Sequence, residues 1–461
     1  MSNSIKELMA IGQQGIAAHK SMMNIVSRNV ANANTPGYAR QRLNLVAVHD
    51  PGLSITTGKL ETIRSSSLQR SILGASLSYG FHQGKTEVLE LAEPALNDLD
   101  GSGVGAAMNG FFTSLHTMGN DPTGVAERLG FMHAAEHLGN TLRQSAEGIQ
   151  SARLEAEFQA KAVVDEVNAI AKDIAKLNER ITADAVGYPD PSPGLKNDRD
   201  LLLTRLSELV GINAIDKSDG TVAVALEVGG PLVDDTYANE LKLTGGSIAA
   251  LDVTIIKKDG GTMKPLAKPG GRLGGIMNAR DVVLVQTSSQ LDQMAFGFVN
   301  AVNSVHSSGF GLDGSTGNNL FEPIPTVAGA ASNVRLSSDV AGDINKIAAA
   351  QDVTMLPGDN ANILTMASLQ DDATVVAGGK TVGSAYDNAV SILAVSHRDA
   401  VNQSDEQNRR VLQFKEMREQ VSGVSLHEEM ISLSAAERAF NASSQLVQTA
   451  RDMYDTIFKL V

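Results

Sequence analysis

The sequence has no cysteine and no tryptophan, and aromatic residues make up 4% of its 461 positions. Without cysteine there are no disulfides, no thiol catalysis and no cysteine-ligated metal. That fits either a cytosolic chain or one exported by a route that keeps it unfolded. Positive charge is also scarce: 38 basic residues stand against 52 acidic ones, a net charge of −14, with no long basic run. Nucleic-acid binding needs a phosphate-neutralising patch, and docking on an anionic membrane needs a similar one, so both classes are disfavoured. No apolar run approaches the roughly 20 residues of a membrane span. The first 30 residues lack the basic start and continuous apolar core of an ordinary signal peptide.

What the chain has is Ala, Gly, Ser and Asn, a composition of long helices and turns. Its length suits about three domains. Both ends carry a four-three apolar rhythm, the pattern of a helix with one sticky stripe. At the N-terminus the row is Ile5, Met9, Gly12, Ile16, His19, Met23, Val26, Val30. At the C-terminus it is Leu426, Met430, Leu433, Glu437, Phe440, Ser444, Val447, Arg451, Tyr454, Phe458, widened by Leu446, Ala450, Met453 and Ile457. An isolated helix draws most of its stability from packing, so the two ends are expected to meet each other. Any face left over would pack on other molecules. The candidate assembly residues are therefore Ile5, Met9, Ile16, Met23, Val26 and Val30, with Leu426, Met430, Leu433, Phe440, Val447, Tyr454, Ile457 and Phe458. Gly12 and Gly15 each cost a helix about 1 kcal/mol relative to alanine, which points to a neighbouring backbone passing close. In the free monomer these ends are expected to be largely disordered and to order on assembly.

Between the ends the pattern is helical with one interruption. Residues 41–66 alternate and read as extended, with a turn at Asp50-Pro51-Gly52. Helix is expected from about 86 to 99, from 104 to 118, and from 124 to 184, a rod of roughly 90 Å. A further helix over 195–209 should lie back on the rod. Residues 211–270 turn to strand pattern with Gly-Gly turns. Helix resumes at 273–305. Residues 324–377 read as short strands followed by a helix near 360–369, and a second rod covers 386–421. The fold class is mainly α with a β insertion, in nested discontinuous domains. A terminal coiled coil (1–36 and 424–461) and an extended connector (37–66) enclose a long-helix bundle (67–210 and 271–423). The bundle encloses the β domain (211–270). This nesting puts both chain ends at one pole and the β domain at the other.

The first helix stops at Asn32-Ala33-Asn34-Thr35-Pro36-Gly37-Tyr38, where Pro36 disfavours helix before it and Gly37 permits positive φ. With Ala39-Arg40-Gln41 behind it, this string resembles the signature of the bacterial flagellar axial proteins, the rod, hook and hook-associated proteins. The middle resembles one branch, the hook-associated family of the hook–filament junction. The strings that carry this are Asp121-Pro122 with Arg128, Lys196-Asn197-Asp198-Arg199-Asp200 and Gly270-Gly271-Arg272-Leu273-Gly274-Gly275. To them are added Asn300-x-x-Asn303-x-x-His306-x-x-Gly309 and Ser422-Gly423-Val424-Ser425-Leu426-His427-Glu428-Glu429-Met430. The resemblance implies export unfolded through the flagellar channel, with a chaperone on the C-terminal helix. It implies assembly outside the cell at the hook tip, as a ring or helix of copies, against hook protein and hook-associated protein 3. One alternative is a hook or distal rod protein. Another, of a different class, is a zinc peptidase or secreted effector with a flagellar-like export signal.

That last alternative rests on His133-Ala134-Ala135-Glu136-His137, the inverted zinc-peptidase string. Two histidines four apart can face one zinc, but no acidic cluster offers a third ligand, and surface histidines on a rod are the preferred reading. Asp98-Leu99-Asp100-Gly101 opens like a calcium loop but has Asn109 where the bidentate glutamate belongs. His19 and His397 lie on apolar rows, where packed core histidines are expected. No catalytic residue, cofactor or metal is assigned.

Overall fold

Long amphipathic helices carry this chain, and their apolar rows decide where each one lies. The computed structural model describes residues 2–35, 37–50, 53–98, 101–185, 193–247, 249–265 and 267–459. Helix α1 spans Ser2–Ala31, and strands β1 (Gln41–Asp50) and β2 (Leu53–Thr62) follow as an antiparallel hairpin paired from Gln41↔Thr62 outward. Helices α2 (Ser66–Ala92), α3 (Val104–Asn120), α4 (Val125–Ala185) and α5 (Pro193–Leu209) come next. Strands β3 (Ile212–Asp216), β4 (Val222–Leu226), β5 (Pro231–Asp234) and β6 (Tyr237–Ala238) form one antiparallel sheet. Strands β7 (Glu240–Gly246), β8 (Ala249–Ile256) and β9 (Thr262–Met263) form another. Helix α6 (Gly271–Asn278) passes through one π turn, Ala279–Val283, into α7 (Leu284–Ser308). Short helices α8 (Ser338–Ala341) and α9 (Ala361–Ser368) lead to α10 (Val382–Ser422) and α11 (Leu426–Lys459).

The long rod, α4, repeats at steps of four and three through Leu142, Ala146, Ile149, Arg153, Ala156, Ala160, Val163, Val167, Ile170, Ile174, Leu177 and Ile181, and every apolar member of this row is buried. The charged exception, Arg153, offers its main-chain carbonyl to the buried guanidinium of Arg280 at 3.1 Å. At the far end of α4 from the termini, Phe131 joins Phe111, Phe298 and Phe321 in an aromatic cluster, with centroids 5.3 Å apart between Phe111 and both Phe131 and Phe298. Along α10, burial is dense from Val382 to Leu393 and thins beyond Ala400 to Val411 and Ser422, as its polar middle row requires.

Four expectations need correction. Helix α2 begins at Ser66, twenty residues before the expected start near Thr86. Its glycines and serines look like turn residues, but they make a backbone-on-backbone crossing. A Cβ on Gly84 would sit 2.4 Å from the Arg272 carbonyl oxygen, and one on Gly275 of α6 1.9 Å from that of Phe81. That crossing is the physical content of the Gly270–Gly275 string. Residues 324–360 hold no strand among the described residues; they carry the short helix α8, 3-10 turns and isolated bridges such as Phe321↔Leu336. His19 and His397 are half-buried rather than core, and His397 faces Glu93 at 3.7 Å. Finally, the first sheet is not at the pole opposite the termini. Helix α5 carries the chain back along α4, where Arg205 meets Glu166 at 2.8 Å, and delivers β3 beside the start of α2. Arg199 holds Asp216 of β3 at 3.0 Å while its neighbour Asp200 takes Arg64 at 2.6 Å. The pole opposite the termini is the phenylalanine cluster.

Candidate functional site

Helices α1 and α11 lie antiparallel along each other. Near one end Asn29 meets Glu429, and near the other Gly12 meets Val447. A Cβ on Gly12 would come 2.5 Å from Val447 Cγ2, and one on Gly15 2.6 Å from Ser443 Oγ, so α11 lies directly on the two glycines. The α11 seam is Glu429, Leu433, Ala436, Phe440, Ser443, Val447 and Ala450. Glu429, Ala436 and Ala450 are buried, and the rest half-buried.

This seam is rotated one residue from the expected row. Leu433, Phe440 and Val447 belong to both. Met430, Glu437 and Ser444 give way to Glu429, Ala436 and Ser443, with Gly15 lying against Ser443, Gly12 against Val447 and Leu446, and Asn29 bonded to Glu429. On α1, Ile5 and Val26 are buried, while Met9, Ile16 and Met23 are half-buried. Val30, Leu426, Met430 and Tyr454 are exposed, Met430 at 69%. The side chains of Ile457 and Phe458, and Pro36, lie outside the described residues. Ile431 at 57%, Leu8, Ile11, Leu446 and Met453 add to the exposed apolar surface of the pair. Sequence reasoning found Ala450 but missed Glu429, Ala436 and Ser443, although all four recur at steps of seven.

A polar knot closes the base of the pair. Asn29, 1% exposed, donates from Nδ2 to the Gln41 carbonyl at 2.9 Å and to Glu429 at 3.0 Å. Its Oδ1 accepts from the Gln41 amide and the Tyr38 hydroxyl, both at 3.0 Å. Burial pushes the Tyr38 phenol above its ordinary value. Arg40 donates from Nε to Glu429 at 2.7 Å and from Nη1 to Glu428 at 2.6 Å, and its amide donates to the Ser422 carbonyl at 2.8 Å. The turn above is stitched by Asn32 Nδ2 on the Arg28 carbonyl and by Thr35 Oγ1 on Asn32 Oδ1. Asn34 is exposed. Gly37 turns at φ +77 and packs on Leu201 of α5, where a Cβ would be 2.9 Å from Leu201 Cδ2. The signature turn therefore binds both terminal helices to the body.

The other strings also have structural duties. Arg128, 1% exposed, donates to the carbonyls of Pro122, Ile344 and Ile347 at 2.7 to 3.0 Å, and burial lowers its pKa. Asn303 and His306 of α7 clamp the loops beyond it. Asn303 pairs with both main-chain groups of Phe321 at 2.9 Å, and His306 bridges the Asn318 carbonyl and the Ala348 amide. Asp98 caps α3 by accepting from the Gly105 amide; Leu99 and Asp100 lie outside the described residues. His133, Glu136 and His137 all stand exposed on α4, with His133 and Glu136 4.0 Å apart. Among the described residues no group of three His, Cys, Asp or Glu side chains is placed to hold a metal, and no helix is long and apolar enough to cross a membrane.

Terminal helices sewn together at their base, with apolar side chains left exposed along them, are features of a structural subunit. The family model described as the flagellar hook-associated protein FlgK helical domain matches residues 89–321, just over half of the chain. Models of the flagella basal body rod protein and of the flagellar basal body rod FlgEFG protein C-terminal match residues 9–38 and 419–460. The chain is 25% identical over 492 aligned residues to flagellar hook-associated protein 1 of Bacillus subtilis, covering 96% of each. It is 23% identical to the protein of that name in Escherichia coli over the full length of both. The solved structure of the flagellar hook junction protein FlgK from Burkholderia pseudomallei shares the fold, with a TM-score of 0.66 at 16% identity. That match covers 78% of this chain and all of that one. The chain belongs to the flagellar hook-associated protein FlgK family, and is a structural protein of the bacterial flagellum.

Proposed function

We propose that this chain joins hook to filament, reaching the hook tip outside the cell by unfolded export and assembling there through α1 and α11. The observation that carries this is the outer face of the helix pair. Val30, Leu426, Met430 and Ile431 at its base, and Leu8, Ile11, Leu446 and Met453 further along, stay exposed after the two helices have met. A soluble monomer rarely leaves so much apolar surface without a partner for it. The partners are further copies, hook protein, hook-associated protein 3 and an export chaperone. Residues 1–36 and 424–461 form the assembling part, and 37–66 the connector. Residues 67–210 with 271–423 form the outward helical body, and 211–270 its insertion. No step of this role asks for catalysis, a cofactor or a metal.

Deleting residues 1–36 and 424–461 is the test. The remaining core should fold, by circular dichroism and cooperative melting, and should fail to assemble on hook tips. A truncate that assembles normally overturns the reading. Replacing Met430 and Ile431 together by serine is a finer probe. Both are exposed, so monomer stability should move by no more than about 0.5 kcal/mol, while assembly weakens. Labelling on isolated flagella separates a junction protein, seen only at the hook tip, from a hook or rod protein, seen along the shaft.

A further inference from the structure

A cavity of about 420 Å³ opens where the terminal segment, α2, α5, β3 and the end of α10 come together. It falls in the size range of small-molecule sites. Four guanidinium groups line it, those of Arg64, Arg70, Arg199 and Arg418. The carboxylates nearby are already engaged. Asp200 holds Arg64 at 2.6 Å, Asp216 holds Arg199 at 3.0 Å, and Glu419 takes Arg418 Nη2 at 3.1 Å. A guanidinium has five donors. Among the described residues Arg70 places its Nε on the Ser66 carbonyl at 3.4 Å, and Arg418 uses the single contact just given. Helix α2 starts at the cavity with Ser65 as its cap and no acidic residue in its first turn, so its positive dipole end is unanswered.

Two buried polar atoms of the cavity wall lack a protein partner. Ser422 is 5% exposed, and its Oγ has no hydrogen-bond partner. The Arg199 side chain is 5% exposed, and its Nε has none either. Leaving such atoms unpaired costs about 1–3 kcal/mol each, and both belong to residues lining the cavity. Surplus guanidinium donors, a hydroxyl and a helix N-terminus around one cavity are the donor set for an oxyanion.

We propose that this cavity binds a small multivalent oxyanion of the phosphate class, held between Arg70 at the start of α2 and Arg418 at the end of α10. Bound there, the anion bridges the body to the segment that carries the terminal helices, and stiffens the joint between them. The site belongs to the single chain and does not depend on assembly. Inorganic phosphate titrated into the dilute full-length protein by calorimetry, at ionic strength held constant with chloride, is the test. The expected result is saturable one-to-one binding, a raised melting temperature, and slower amide exchange at Tyr38 to Arg40. Arg70→Gln combined with Arg418→Gln should fold normally, since neither side chain is buried, and should weaken binding by about tenfold or more, the loss of charge-assisted contacts. Ser422→Ala should weaken it less. Absence of saturable binding by the unaltered protein, or undiminished affinity in the double variant, overturns the proposal.

Discussion

Two neighbouring carboxylates hold Arg40 at nearly the same distance, and they should differ sharply in what they contribute. Glu428 approaches Nη1 at 2.6 Å and Glu429 approaches Nε at 2.7 Å. Distance alone ranks Glu428 first. Burial reverses the order, because the Glu428 side chain is 59% exposed and that of Glu429 is 2% exposed. An exposed pair is screened by water and salt and contributes about 0–1 kcal/mol. Removing one partner of a fully buried pair costs about 3–5 kcal/mol, since the charge left behind is uncompensated. Arg40 keeps 23% of its side chain in solvent, which brings the expected cost of Glu429→Ala to about 2–3 kcal/mol. Glu429→Gln keeps an acceptor for Asn29 and should cost about 1–2 kcal/mol, the gap between a charged and a neutral hydrogen bond.

The assay is a pair of double-mutant cycles, Glu429→Gln and Glu428→Gln each against Arg40→Gln. Each is read as the opening free energy of α1 and α11 by amide exchange. The coupling at Glu429 should exceed about 1 kcal/mol and survive high salt, while that at Glu428 should fall below about 0.5 kcal/mol and vanish with salt. Equal couplings, or a larger one at Glu428, would show that burial does not govern this joint and would refute the reasoning.

Gly15→Ala should be neutral or stabilise α1 by up to about 1 kcal/mol, because the Ser443 hydroxyl can turn away. Gly12→Val should destabilise the pair by about 1–3 kcal/mol, because Val447 is β-branched and has no free rotamer; melting of the two variants compares them directly. His306 accepts from the Ala348 amide through Nε2, so its neutral form carries the proton on Nδ1, and burial lowers its pKa. A depressed folded pKa means stability that is present above the unfolded value near 6.5 and lost as pH falls below it. Unfolding free energy should therefore drop between pH 7 and 5 by at most about 1.4 kcal/mol per unit from this group. His306→Gln should flatten that slope, and an unchanged slope would count against the assignment. In dilute monomer, amides 5–26 should exchange faster than those of 142–181, because α1 buries only Ile5, Ile25 and Val26 among its large apolar side chains. Equal protection would mean that the pair is complete without neighbours.

How much could be read from residues alone depended on which kind of contact each element makes. Helix α4 was legible because apolar side chains recur at helical spacing from Leu142 to Ile181, and every apolar member of that row is buried. The start of α2 was not, because Gly80, Gly84 and Gly275 pack through absent side chains, which leave no hydrophobic period to read. The position of the first sheet was hidden for another reason. It depends on Arg64, Asn197, Arg199 and Asp200 finding partners up to 136 residues away, and separation in sequence carries no sign of that. The knot around Asn29 was half visible. Tyr38, Arg40 and Gln41 belong to a recognisable turn, whereas Asn29 and Glu429 look like ordinary polar residues on helices until the chain ends are brought together.

The one-residue rotation of the α11 seam has the same origin and a functional meaning. A row chosen by side-chain size picks Met430 and passes over Ala436 and Ser443. The helices approach closely instead, with Gly12 against Val447, Gly15 against Ser443 and a buried carboxylate at the base. That arrangement keeps Leu433, Phe440 and Val447 in the seam and leaves Met430, Ile431 and Tyr454 outside it. Met430 and Ile431 stay in solvent in a chain whose body buries Phe111, Phe112, Phe131, Phe298 and Phe321. Of the residues that stand out as hydrophobic in the last helix, Leu433, Phe440 and Val447 therefore serve the seam, while Met430 and Ile431 are the ones left exposed for the contacts between copies proposed above.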